Sequence, residues 1–359
     1  MTGPPPAPPA SGRGEKSSTQ SPSRLREGLG VGLLMDNAKP LGPIPPGFAT
    51  IDGELAIGGR KASDLAAAGT PLFVYSRAMI EARVAKLRAA LPERVRIHYA
   101  IKANSFAPLL KAMCELVDGL DIASGGELAM AQAAGADPKR ISFAGPGKRD
   151  QELKAAIEAG VTLNLESEGE ARRALATAEK VGCTPRLAIR VNPDFDLRGS
   201  GMKMGGGARP FGVDAERVPA LACEIIAAGC EWRGLHIFAG SQALEANAVI
   251  AAQAATLELA GRLADEIAAP LPALNLGGGF GIPYFAGDEP LDIQRVGAAL
   301  AERCADLPET LAETELAIEL GRWLVGEAGV YLTRIVDRKE SRGEVFLVTD
   351  GGLHHQLAA

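Results

Sequence analysis

From about Pro71 to Leu320, short β-rich runs alternate with alanine-rich helical stretches, and this rhythm limits the chain to few folds. Eight β-rich runs can be counted: Val95–Ala103, Gly119–Ala123, Ile141–Ala144, Thr162–Leu165, Arg186–Val191, Trp232–Ala239, Ala273–Leu276 and Glu315–Leu320. Helical stretches fall between most of them: Ala78–Ala90, Gly126–Ala134, Asp150–Ala159, Ser167–Val181, Ala215–Ala228 and Asn247–Ala268. Strand–helix alternation means parallel strands joined by crossover helices. Eight such units over about 250 residues match a (β/α)8 barrel. A doubly wound open sheet is the competitor. Polar or glycine residues follow nearly every run, as the active-site loops of a barrel require, so the barrel is favoured. Apolar residues make up 47% and aromatics only 4%, which makes the core aliphatic and rich in alanine.

The net charge of −6, with both signs interspersed, argues against nucleic-acid or membrane-surface partners. The five cysteines are scattered, odd in number and without a CxxC pair, which reads as a reduced, cytoplasmic chain without a metal site. No apolar run is long enough to span a bilayer. Residues 1–46, crowded with Pro, Gly, Ser and Arg, read as a disordered segment without the apolar stretch of a signal peptide. Residues 47–71 then read as strands of a β-domain, 72–325 as the barrel, and 326–359 as the start of that β-domain, left incomplete. Short strands are expected at Thr50–Ile57 and Leu72–Val74, and again at Gly329–Asp337 and Glu344–Val348.

The chemistry should sit at the C-terminal ends of the barrel strands. Lys102 closes the apolar run Ile97-His98-Tyr99-Ala100-Ile101 and is followed by turn residues. Burial there is expected to lower its ammonium pKa and yield the neutral amine that a Schiff base needs; a lysine snorkelling to solvent is the bland alternative. Asp121-Ile122-Ala123-Ser124-Gly125-Gly126-Glu127 ends the second strand, and Gly240-Ser241 follows the sixth. Gly277-Gly278-Gly279 follows the seventh, where backbone N–H groups can close on a phosphate. Strand eight ends in Glu319-Leu320-Gly321-Arg322. The arginine suits a phosphate oxygen, and an ionised glutamate between apolar neighbours wants a cationic partner. A protonated pyridine nitrogen would serve, so lysine, phosphate cradle and carboxylate together describe a pyridoxal 5'-phosphate site.

With these residues in place, the chain resembles the fold-type III pyridoxal-phosphate decarboxylases (diaminopimelate, ornithine and arginine decarboxylases). It is most similar to the diaminopimelate branch and, within that, to the exosortase A system-associated proteins. The resemblance rests on Tyr99-Ala100-Ile101-Lys102-Ala103-Asn104, Ala123-Ser124-Gly125-Gly126-Glu127-Leu128, Gly234-Leu235-His236, Gly240-Ser241-Gln242, Gly277-Gly278-Gly279-Phe280 and Glu319-Leu320-Gly321-Arg322, in family order. It implies an alanine racemase-like barrel with a C-terminal β-domain. It also implies a dimer with shared active sites, and decarboxylation of a basic or dicarboxylic amino acid, free or linked to an acyl carrier protein, giving an amine and CO2.

By that resemblance Lys102 anchors the cofactor, Glu319 keeps the pyridine nitrogen protonated, and Ser241, Gly277, Gly278, Gly279 and Arg322 bind the phosphate. Asp121, Glu127 and Arg190 line the site, and His236 lies on the strand facing the ring. The chain departs from the family at Phe238, where a ring-stacking histidine is usual; a phenyl ring stacks but carries no charge. It departs again at Arg209-Pro210-Phe211-Gly212, where a Ser-Lys-Phe-Gly run is common, and it lacks counterparts for the β-domain's proton-donating cysteine and tyrosine. Cys304, before strand eight, is no substitute. His98 reads as packed beside the site, Ser200–Met204 as a mobile loop with a solvated Lys203, and Asp350 as structural or interfacial. His354 and His355 are too few for a metal site. Two alternatives stand beside decarboxylation. One is a racemase, disfavoured because that family pairs the pyridine nitrogen with arginine. The other is a non-catalytic pyridoxal-phosphate binding protein.

Overall fold

The computed structural model describes residues 44–197, 199, 201–352 and 354–355. Most of the segment read as disordered, Ser200, and the side chain of Lys203 lie outside the described residues.

Eight parallel strands form the barrel, β1 Val95–Ala100, β2 Gly119–Ile122, β3 Ile141–Phe143, β4 Thr162–Leu165, β5 Arg186–Asn192, β6 Glu231–Ile237, β7 Ala273–Asn275 and β8 Glu315–Leu320, and a ninth short strand of the same sheet, Val213–Asp214, lies parallel to β5. Each barrel strand pairs with the next, and β8 pairs with β1 from Leu316 against Val95 to Leu320 against Tyr99, which closes the barrel. The last residue of each strand differs from the sequence expectation by three at most. The difference matters only at β1, where Ile101–Ala103 form a 3₁₀ turn after the strand and so place Lys102 in the turn.

The helices of the barrel's outer ring are α1 Arg77–Ala90, α2 Ala107–Leu116, α3 Gly125–Ala133, α4 Asp150–Ala159, α5 Glu168–Val181, α6 Val218–Ala227, α7 Ala246–Ile267 and α8 Ile293–Ala305. Seven follow strands β1–β7. The eighth place in the ring is taken by α1, which precedes β1 and packs against both α8 and α2. Serines start three helices: Ser76, Ser124 and Ser167 accept from the N–H groups of Met79, Glu127 and Glu170. One apolar cluster takes in residues from all eight helices and all eight strands. Among the described residues no helix is long and apolar enough to cross a membrane.

Four small β units lie outside the barrel, one of them the two-residue pairing of Met202–Lys203 with Gly240–Ser241. Ala49–Ile51, Glu54–Ile57 and Arg60–Lys61 form an antiparallel meander. Leu72–Tyr75 pairs antiparallel with Gly329–Leu332, bringing the two flanks of the barrel together. The run read as Gly329–Asp337 is thus two strands, the second being Ile335–Ser341, which makes a hairpin with Glu344–Thr349. Both hairpin strands are exposed along their whole length. Asp350 ties the hairpin's base to the flank by accepting from the Thr70 hydroxyl and the Arg334 N–H.

Candidate active site

Strand register sets the first group of side chains. Glu319 of β8 lies opposite His98 of β1, and His236 of β6 lies opposite both Arg190 of β5 and Asn275 of β7. The turn after β1 is pinned by the Tyr99 hydroxyl, which donates to the Asn104 carbonyl at 2.8 Å. From that turn Lys102 Nζ reaches Glu319 Oε1 at 3.2 Å. The lysine side chain is 60% exposed and the glutamate only 5%. The expectation that burial would lower the Lys102 pKa is therefore corrected. The Glu319 charge outweighs desolvation, and the ammonium is raised above its ordinary value. Burial works to raise the Glu319 pKa, but Lys102, His236 and Arg190 together hold it well below the usual carboxylate range. Glu319 is thus an anion already holding a cation. A different cation placed on it would release the Lys102 amine.

Next to this pair, Asp121 Oδ2 lies 3.3 Å from His98 Nδ1, and His236 Nε2 lies 3.3 Å from Glu319 Oε2. Neither contact has hydrogen-bond alignment. Both oxygens of Asp121, Nδ1 of His98 and both ring nitrogens of His236 are buried without a hydrogen-bond partner. Burial disfavours the His98 imidazolium, yet Asp121, with help from Glu319 and Glu315, raises its pKa overall. Glu127 is placed differently. Its Oε2 accepts from the Ala123 N–H at 2.7 Å, just ahead of the cap Ser124, whose hydroxyl accepts from the Glu127 N–H at the start of α3.

The opposite side of the rim is built from backbone. Gly277–Gly279 run between the ends of β6 and β8. A Cβ on Gly278 would stand 1.8 Å from the Glu319 carbonyl oxygen. Gly279 has φ +86°, and a Cβ there would lie 2.6 Å from the Gly240 carbonyl oxygen. Glycine is thus required by close packing as well as by any ligand. Among the described residues, nothing accepts from the N–H groups of Gly278 and Gly279. Gln242, which the sequence motif contained without a role, gathers three loops. Its amide bonds both the carbonyl and the N–H of Ile282, and its Oε1 accepts from Arg322 at 3.2 Å. The Arg322 guanidinium also lies over the Tyr284 ring, 5.5 Å from its centroid. The backbone of Ser241 pairs with Met202, so part of the Ser200–Met204 loop is an antiparallel bridge to Gly240–Ser241. Phe238 stands between the two sides, its ring centroid 5.9 Å from Lys102 Nζ.

A third group went unread in the sequence. Lys148, Glu166 and Glu170 are buried at the ends of β3 and β4, with Arg190 beside them. Lys148 Nζ donates to the Gly145 and Asn164 carbonyls and to Glu170 Oε1, at 2.7–2.8 Å. Arg190 Nη1 donates to Glu166 Oε1 at 2.9 Å. Burial drives the Lys148 pKa down and the Glu170 pKa up, each opposed by the charge of the other. Glu166 directly follows a strand, as Lys102 nearly does. The strand-end rule could have singled it out, but it reads equally well as an acidic residue ahead of α5. His355, by contrast, contacts Tyr331 on the outer sheet, and Cys304 lies on α8, so neither belongs to the rim.

Lys102 at Glu319, the unpartnered oxygens of Asp121 and the free glycine N–H groups supply an amine, buried acceptors and anion donors within one rim. This set fits a phosphate-bearing cationic heterocycle. The family described as pyridoxal-dependent decarboxylase, pyridoxal binding domain, matches residues 77–326. L-Glutamyl-(BtrI acyl-carrier protein) decarboxylase of Niallia circulans is 34% identical over 81% of this chain and 68% of its own length. Diaminopimelate decarboxylase of Aquifex aeolicus is 35% identical over 84% of this chain and 71% of its own. A crystal structure of diaminopimelate decarboxylase from M. jannaschi superposes with a TM-score of 0.75 at 27% identity, covering 87% of this chain and 74% of that one.

Proposed function

The chain belongs to the pyridoxal-dependent decarboxylases, and on that premise we propose that it removes the α-carboxylate of an amino acid at the rim formed by Lys102, Glu319 and the Gly277–Gly279 loop. The observation that carries this reading is the pairing of Lys102 with buried Glu319 at 3.2 Å. Pyridoxal phosphate, when bound, supplies an aldehyde for amines and a ring that accepts the electron pair left by a departing carboxylate. The protein's own groups would do the rest. Glu319, held ionised, would keep a proton on the ring nitrogen, and Lys102 would offer its amine to the aldehyde. Gly278 and Gly279 N–H groups, Ser241 and Arg322 would bind the phosphate, and Phe238 would offer its ring for stacking. Asp121 and His236 present buried acceptors and imidazole nitrogen to whatever occupies the rim.

Relatives named for diaminopimelate and for a carrier-linked glutamyl group support a basic or dicarboxylic amino acid, free or carrier-bound. A homodimer that completes each site is part of the same reading. The test is an absorbance spectrum of the chain with pyridoxal phosphate, then borohydride reduction and peptide mapping. An adduct on Lys102, with CO2 release from diaminopimelate, lysine, ornithine or a glutamyl carrier protein, is the expected result. An adduct elsewhere would overturn the site assignment, and an adduct on Lys102 without CO2 from any of these would overturn the proposed substrates.

A further inference from the structure

We propose that Glu166 is a positioning residue, a clasp that holds the loop after β5 against the barrel and fixes the Arg190 guanidinium at the edge of the site. Its carboxylate is nearly inaccessible, with 1% of the side chain exposed. It gathers donors from three segments. Oε1 accepts from Arg190 of β5 at 2.9 Å and from the Gly145 N–H in the loop after β3. Oε2 accepts from the Gly212 N–H, in the loop after β5, at 3.0 Å. Gly212 has φ +77°, and a Cβ there would lie 2.7 Å from the Asn192 nitrogen, so this turn seats against β5 only as glycine. Phe211, just before it, stacks on the same guanidinium at 4.9 Å. Arg190 is therefore gripped on one side by Glu166 and on the other by the loop that Glu166 holds.

The clasp is itself braced. Glu170 Oε2 accepts from the Glu166 N–H at 3.2 Å, while Lys148 holds the other Glu170 oxygen and the Gly145 carbonyl. Further along, the same loop reaches the phosphate side of the rim, where the Met204 and Gly205 N–H groups donate to the Ala239 carbonyl at 3.1 Å. Val213–Asp214 also pair with Val191–Asn192, and the Asn192 amide donates to Gly207 and Asp214, so the carboxylate adds its grip to a loop already seated on β5, and it holds a cation whose charge acts on both Lys102 and Glu319. The Arg209–Gly212 stretch, where this chain departs from its family's usual run, is the part of the loop under this control.

The positioning role rests on the reading of the rim as a decarboxylase site, so the test separates the two. Hydrogen exchange is read first on the full chain without cofactor. Glu166→Gln should speed exchange of peptides covering 204–217 by about tenfold, the loss of roughly one charge-assisted hydrogen bond. Peptides of β1 and β8 should keep wild-type protection. With pyridoxal phosphate bound, the pH midpoint of its visible absorbance should fall, corresponding to roughly threefold weaker proton binding, because Arg190 has lost its counter-ion. Glu166→Asp, which keeps the charge, should restore the midpoint. Faster exchange spread evenly through the barrel, or an unmoved loop, would overturn the proposal. If Glu166→Gln does not fold, Phe211→Ala releases the other side of the guanidinium. It should speed loop exchange by about threefold with the barrel unaffected, and an unchanged loop would equally refute the clasp.

Discussion

Two sectors of the barrel rim bury charge in opposite ways. At the ends of β3, β4 and β5, Lys148, Glu166, Glu170 and Arg190 are each held by ion pairs and hydrogen bonds. At the ends of β1, β2 and β6, Asp121, His98 and His236 keep buried polar atoms that meet no hydrogen-bond partner. An unsatisfied buried polar group costs about 1–3 kcal/mol, so a chain that retains several has a use for them. The closed sector sets geometry. The open sector awaits a ligand.

This contrast can be broken by substitution. Lys102→Ala, in the open sector, should remove the reducible cofactor adduct and lower turnover at least on the order of 10⁴-fold, as loss of one member of a catalytic unit does; borohydride mapping and CO2 release read both. In the closed sector, Glu170→Gln leaves the buried Lys148 ammonium without its counter-ion and should cost about 3–5 kcal/mol of stability in a urea titration. The double change Lys148→Met with Glu170→Leu should recover most of that loss, because no charge is left stranded. Glu319→Gln should retain cofactor but lower kcat on the order of 10²–10³-fold, a misplaced electrostatic partner. Phe238→Leu should weaken cofactor binding by about 0.5–1.5 kcal/mol, measured by fluorescence titration.

The smallest effect concerns pH. His98 has a raised pKa in the folded chain, so the stability it contributes with Asp121 is full below its ordinary value of 6.5. That contribution is lost as pH rises through the raised value. Asp121→Asn should remove this slope from urea midpoints measured between pH 5 and 9, using about that range because it brackets histidine titration. It should leave overall stability near that of the wild type at the alkaline end. A large loss at every pH would place Asp121 with the closed sector instead.

The eight strands and six helices were legible because each is a short local pattern: apolar β-rich runs and alanine-rich stretches. Lys102 and Glu319 were legible from their place at strand ends and from the family's motifs. What the sequence hid was pairing across space. Burial alone pointed to a lowered Lys102 pKa, whereas the carboxylate facing it, 217 positions away in the chain, reverses the sign. Glu127, read as lining the site, also accepts from the Ala123 N–H ahead of its own helix, a contact that a Ser-x-x-Glu spacing suits as well. Glu166 looked like an acidic helix start but collects donors from one strand and two loops. A lone charge in a sequence shows its type and not its partner.

The placement of α1 bears on how the molecule comes to be assembled. It precedes every strand of the barrel, yet it closes the ring between α8 and α2, and Arg83 on it lies over the Trp323 ring and pairs with Glu327. β1 likewise finds β8 only when Leu316 meets Val95. The seam is therefore made from the first and last parts of the barrel to be synthesised. A nascent chain can build helices and neighbouring strand pairs as it emerges, but no circle can form before β8 is out. Closure over so long a loop adds little entropy beyond a shorter one, yet it is slow to find. Until then β1 carries an open edge, and Lys102 has no Glu319 to meet. Fold and active site are completed in the same late event.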